Sequence, residues 1–157
     1  MTRYIKNKSN KMIINNTKYT NYIRISHYAT GSYGNYVVNE NDWQVIPTPT
    51  SMTRRLHDVD VDAFTDLLGF THRNRVRHDV EDFDLGFTIL NDHDEQVLLN
   101  LISPEWFYVE LTNKRTGGKT IHKMYASDKQ WDVYQIWEEN GVWYEANQDF
   151  AFSLVEE

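Results

Sequence analysis

The sequence predicts an α+β domain, mostly antiparallel sheet with one helix, either as a curved sheet or as a partly open barrel. Three observations carry that expectation. The 157 residues include five Trp, ten Tyr and seven Phe, and such aromatic-rich chains favour strands. Short alternating apolar runs recur, separated by turn residues, which implies about nine short strands. One segment, near 60–68, instead carries apolar residues at helical spacing.

Residues 1–10 are polar and basic and are expected to form a flexible tail. Met12-Ile13-Ile14 opens a strand. Tyr22 to Tyr28 alternates, with Ile23 and Ile25 on one face. Gly31 to Gly34 is a turn, Tyr36-Val37-Val38 a second strand, and Trp43 to Ile46 a third. Pro47 and Pro49 end it, because proline cannot donate to a ladder. Met52 to Leu56 is read as a helical turn. The helix follows: Asp58 or Asp60 caps it, Val61, Phe64, Leu67 and Leu68 share a face, and Gly69 stops it.

The rest reads as a meander. Phe87 to Leu90 and Gln96 to Ile102 are strands joined by Asn91 to Glu95. Trp106 to Thr112 and Thr120 to Ala126 flank Thr116 to Lys119. Val133 to Trp137 and Val142 to Asn147 flank Glu139-Asn140-Gly141, where Asn-Gly is a strong hairpin signal. Phe150 to Val155 closes the chain. The length fits a single domain over 1–157.

Charge is unevenly spread. The net charge is −7, and residues 58–95 hold eleven of the twenty-three acids, whereas the first thirty-nine residues hold none. Acids two apart on a strand project from one face roughly 6.7 Å apart, a crude copy of a phosphate backbone. The expected contact row is therefore Asp58, Asp60, Asp62, Asp79, Glu81, Asp82, Asp84, Asp92, Asp94 and Glu95. It would meet a protein partner with a basic surface, with fast, salt-sensitive association. The aromatics Trp131, Tyr134, Trp137, Trp143, Tyr144, Phe150 and Phe152 form a second cluster, which offers interface anchors as well as core.

Several chemistries fail on the residues. With no cysteine, there are no disulfides, thiolate nucleophiles or Cys-based zinc sites. Asp58, Asp60 and Asp62 match calcium-loop positions 1, 3 and 5, but Ala63 and Gly69 stand where glycine and glutamate are needed. Asp92-x-Asp94 meets Gln96 and Ser103 further on and fails likewise. Gly118-Lys119-Thr120 ends like a phosphate-binding loop, yet Asn113 replaces the first glycine. No Gly-x-Ser-x-Gly elbow or His-Glu-x-x-His helix is present. His57, His78 and His93 each precede an aspartate. His57, Asp58, His78, Asp92, His93 and Asp94 are therefore the alternative set, for a metal-dependent hydrolase or nuclease.

In size, charge and missing catalytic motifs, the chain resembles the small acidic proteins of phages and plasmids that disable host nucleases. These include anti-CRISPR and anti-restriction proteins, as well as immunity proteins that neutralise toxin nucleases. The resemblance implies a non-catalytic inhibitor that occupies the basic site of a nucleic-acid enzyme, with no cofactor and no resident metal. Separately, the acidic chain, with a pI near 5.3, opposes direct nucleic-acid contact. No apolar run approaches the ~18 residues of a membrane span, so the expected location is the cytoplasm of a bacterial host cell. A phage structural or assembly component is the remaining alternative, and a homodimer stays open.

Overall fold

A computed structural model describes residues 2–6, 12–16, 19–60 and 64–157, the first two segments by backbone alone. The elements in order are β1 (Thr2–Lys6), β2 (Met12–Asn16), β3 (Tyr19–Ser26), β4 (Gln44–Pro47), β5 (Ser51–Asp60), β6 (Phe64–Thr65) and β7 (Thr71–His72). There follow β8 (Arg75–Phe87), α1 (Asp92–Leu101), β9 (Phe107–Thr112), β10 (Lys119–Ala126), β11 (Gln130–Glu139) and β12 (Val142–Glu156). Among the described residues the main sheet is antiparallel and open, in the order β4-β3-β9-β10-β12-β8-β5, with β11 paired to β12 off this path. No barrel closes. The strands are longer than expected: β8 has 13 residues and β12 has 15.

One face of the sheet carries the core. Ile23 and Ile25 of β3, Phe83, Leu85 and Phe87 of β8, and Phe107, Val109 and Leu111 of β9 all point to it. Met124 of β10 and Phe150, Phe152 and Leu154 of β12 complete it. These positions alternate, as a half-buried sheet requires. Leu98 and Leu101 of α1, with Ile102 beyond it, close over that face.

The helix is not where the sequence expectation put it. Met52 to Leu56 and Asp58 to Asp60 belong to β5, which pairs with β8. Beyond residues 61–63, which lie outside the described set, Phe64 pairs with His72 and Thr65 with Thr71. The Asp66 carboxylate accepts the backbone N–H groups of Leu68 and Phe70, at 2.9 and 3.0 Å. Such local bonding favours a turn over a helix. Gly69 does take a positive φ of 85°, but in a hairpin turn rather than past a helix end.

The helix falls instead on 92–101, where the sequence pattern predicts a loop followed by a strand. Asn91 caps it, accepting the Asp94 N–H at 2.8 Å, and acids fill the first turn. Residues 94, 98 and 101 are buried at helical spacing, but the first of them is an aspartate, so no apolar stripe announces the face.

Smaller differences follow. The strand at Tyr36 to Val38 reduces to a single bridge between Thr30 and Val37. Thr2–Lys6, inside the expected tail, pairs with Met12–Asn16. The hairpin at Asn140-Gly141 stands as read, with positive φ at both residues (50° and 78°).

Candidate functional site

The middle acids do not stand as an unpaired row. β5 and β8 lie side by side, and their register brings arginines of one strand against acids of the other. Arg55 donates to Asp84 at 2.8 and 3.2 Å, and Ser153 on β12 also donates to it. The Arg55 bonds, then the Ser153 hydroxyl, hold the Asp84 carboxyl down at about 2. His57 lies 3.4 Å from Asp82. Arg73 reaches both Asp58 and Asp60, at 3.1 and 2.9 Å. Asp79 pairs with Arg115 of the β9–β10 turn, and that bond lowers its carboxyl below the ordinary range. Asp62 lies outside the described residues.

Glu81 is buried, at 3% exposure, beneath Arg54 on β5. Its backbone N–H donates to Glu156 Oε2 at 2.7 Å. His122 sits between the two acids, 3.0 Å from Glu156 and 3.7 Å from Glu81. Arg54 also donates to the Thr112 carbonyl at 2.8 Å. Buried charges persist only when paired and hydrogen-bonded, so this knot ties β5, β8, β9, β10 and β12 together.

The alternative metal set is divided. His57, Asp58 and His78 lie on β5 and β8, whereas Asp92, His93 and Asp94 open α1. Asp94 is buried and accepts from the Tyr19 hydroxyl, so it serves the contact between α1 and β3. Among the described residues, no group of three or more His, Asp or Glu side chains is arranged to hold a metal ion.

A different grouping emerges where the first turn of α1 meets the β11–β12 hairpin. A groove of about 320 Å³ is lined by Asp92, Glu95, Gln96 and Leu99 from α1, Trp131 from β11, and Trp143, Tyr144 and Glu145 from β12. Its three carboxylates form no ion pair with Lys, Arg or His among the described residues. Glu95 is 7% exposed. Its Oε2 accepts from Asn147 Nδ2 at 2.9 Å, while its Oε1 finds no donor among the described residues. Asn147, also buried, leaves its own Oδ1 without a donor.

The electrostatics follow from that arrangement. Burial first, and then the charges of Asp92 and Glu145, push the Glu95 carboxyl up to about 7, against the lowering effect of the Asn147 bond. Asp92 keeps solvent contact, yet partial desolvation and Glu145 raise its carboxyl too. Apolar and aromatic side chains surround the groove. Trp143 is 67% exposed, and Tyr134, Ile136 and Val142 are exposed on the same hairpin. Trp131 is partly held by stacking on Phe150, with ring centroids 5.7 Å apart.

Of the expected row, then, only Asp92 and Glu95 enter this groove, and Trp131, Trp143 and Tyr144 of the aromatic cluster join them. Glu145 and Asn147 were not singled out by sequence. The signals that could have found them are the Asn91 cap with helical spacing at 94, 98 and 101, together with the register that the Asn-Gly turn imposes on the hairpin.

A second exposed feature is the β6–β7 tip, where Leu67 and Leu68 are 105% and 83% exposed and Phe64 and Phe70 are also open to solvent.

One family model matches residues 32–156, and it is described as a family of unknown function, DUF6711. No curated protein and no solved structure matches the chain.

Proposed function

The chain belongs to the DUF6711 family, and we propose that it is a non-catalytic protein-binding protein whose contact region is the flank formed by α1 and the β11–β12 hairpin. The partner presents a basic surface. An inhibitor seated on the cationic site of a nucleic-acid enzyme is the concrete form of this reading. The observation that carries it is the set of three carboxylates, Asp92, Glu95 and Glu145, held together with no base paired to them among the described residues and framed by exposed Trp143 and Trp131. Such a flank combines a charge that steers approach with aromatic anchors that hold the complex. The arginine-paired acids of β5 and β8 offer less, because their field is largely cancelled within the protein.

The test is capture of the partner by tagged protein from nuclease-treated host lysate, followed by titration of that purified partner by calorimetry at several salt concentrations. A basic protein should bind, with affinity falling as salt rises. Trp143→Ala should weaken it by tenfold or more, about 1.4 kcal/mol. Binding that ignores both salt and Trp143→Ala would overturn the reading.

A second reading, a structural component that assembles with copies of itself, is favoured by the apolar β6–β7 tip. Sedimentation would then show an oligomer that Leu67→Ser with Leu68→Ser dissociates. A monomer in both cases removes it.

A further inference from the structure

We propose that the groove between α1 and the β11–β12 hairpin takes the guanidinium of an arginine side chain presented by the partner, an inference that rests on the protein-binding reading above. Two buried acceptors at the groove find no donor among the described residues: Oε1 of Glu95, a lining residue, and Oδ1 of Asn147, whose Nδ2 is bonded to Glu95. A buried acceptor without a donor is costly, so such a group marks a place where a donor is favoured. The third carboxylate, Glu145, already accepts from Asn147 Nδ2 at 3.1 Å and adds a further negative charge.

A cationic donor fits this space best when all three acids are ionised, because a neutral donor leaves their repulsion in place. The donor should also be flat on one side. Trp131, Trp143 and Tyr144 line the remaining wall, and a planar guanidinium stacks on such rings while its N–H fork faces the carboxylates. An ammonium is more strongly hydrated and offers no plane to stack, so lysine is the weaker fit. The groove volume of about 320 Å³ lies at the small end of the range for ligand pockets and is ample for an arginine side chain.

Protonation adds a second property. The titratable groups facing Glu95 are Asp92 on its own helix and Glu145 and Tyr144 on β12, while β11 contributes the neutral Trp131. With the Glu95 carboxyl raised to about 7, the site carries its full negative charge only above neutrality. An arginine bound there favours the ionised form and releases a proton as it enters.

The experiment uses the full chain and small probes, so it needs no partner. The indole N–H signals of ¹⁵N-labelled protein are followed while Nα-acetyl-arginine amide is added at pH 8. Saturable shifts of the Trp131 and Trp143 signals are expected. Nα-acetyl-citrulline amide, the neutral isostere, should give none, and Nα-acetyl-lysine amide should bind at least about threefold more weakly. Glu145→Gln alters a partly exposed lining residue and should weaken arginine-amide binding about tenfold, with its amide spectrum otherwise retained. Binding should weaken severalfold at pH 5.5. No saturable shift, equal binding of the citrulline or lysine probe, or an unchanged affinity in Glu145→Gln would overturn the inference. If the amide fails while partner binding still requires Trp143, the guanidinium inference falls and the protein-binding reading stands. If the amide binds while the partner ignores the flank, the groove recognises a guanidinium, but the protein-binding reading falls and the partner's arginine with it.

Discussion

Asn147 Nδ2 donates to Glu95 Oε2 at 2.9 Å, so an amide of β12 holds a carboxylate of α1 across the junction of helix and hairpin. The bond satisfies only half of each group, because Glu95 Oε1 and Asn147 Oδ1 find no donor among the described residues. The junction is therefore built at a cost in stability, and that cost is measurable.

Glu95 makes stability fall as pH rises. Its carboxyl titrates near 4.5 when unfolded and at about 7 when folded. Between those values the folded chain binds more protons than the unfolded one, so each rise in pH favours unfolding. The full span is at most about 3 kcal/mol. Glu95→Gln should raise the melting temperature at pH 8, leave it little changed near pH 4.5, and flatten the curve between. Thermal melts by circular dichroism at both pH values check this.

Asp84 works in the opposite sense. Its carboxyl is held at about 2 by Arg55 and Ser153, so its contribution is present above the unfolded value of 3.8 and is lost as pH falls towards 2. The pair is half exposed, at 49% and 48%, and solvent screening limits it to roughly 0.5–1 kcal/mol. Asp84→Asn should cost that much at pH 7 and nothing near pH 2, and the loss should shrink in high salt. Urea titrations at low and high salt measure it.

The Arg54–Glu81 pair is the strongest structural commitment of the acidic middle. Arg54→Met takes away the arginine partner of buried Glu81, leaving His122 3.7 Å away, and should destabilise by about 3–5 kcal/mol. Adding Glu81→Met should recover much of that loss. A double-mutant cycle in denaturant reads the coupling directly.

The α1 helix has its own test. Leu98 is fully buried beneath it, and Leu98→Ala should cost about 2–5 kcal/mol. Asn91→Ala should cost about 1 kcal/mol through the lost cap, and Asn91→Gly only a few tenths. A strand at 96–102, as the sequence alone implied, would leave Asn91→Ala nearly silent.

The sequence was clear where side-chain chemistry and burial agreed. Ile23 and Ile25 alternate with polar neighbours and are both fully buried, and Asn140-Gly141 makes the turn its residues demand. It misled where charges occupy inward positions. Arg54 and Glu81 sit on the core side of β5 and β8, which hides the alternation of those strands. Asp94 and Glu95 sit on the buried side of α1, which hides its apolar stripe. Phe64, Leu67 and Leu68 mimic a helix face, but they are exposed in a hairpin shaped by Asp66.

The same cause explains the site. Composition located the acids but not their partners. Arg55, Arg73 and Arg115 meet them only through strand register and one distant turn. Glu145 and Asn147 join Asp92 and Glu95 only because the hairpin folds against the helix, a tertiary relation that no local pattern reports.

The central claim is that the α1–β11–β12 flank, and not the arginine-paired row, meets the partner. The most direct measurement compares two variants for affinity to that partner at low salt, with both checked for folding. One carries Asp92→Asn, Glu95→Gln and Glu145→Gln; the other carries Asp58→Asn, Asp79→Asn and Asp84→Asn. The first should lose at least about tenfold in affinity, and the second should stay within about threefold of the parent. The reverse order would contradict the account and return the contact to β5 and β8.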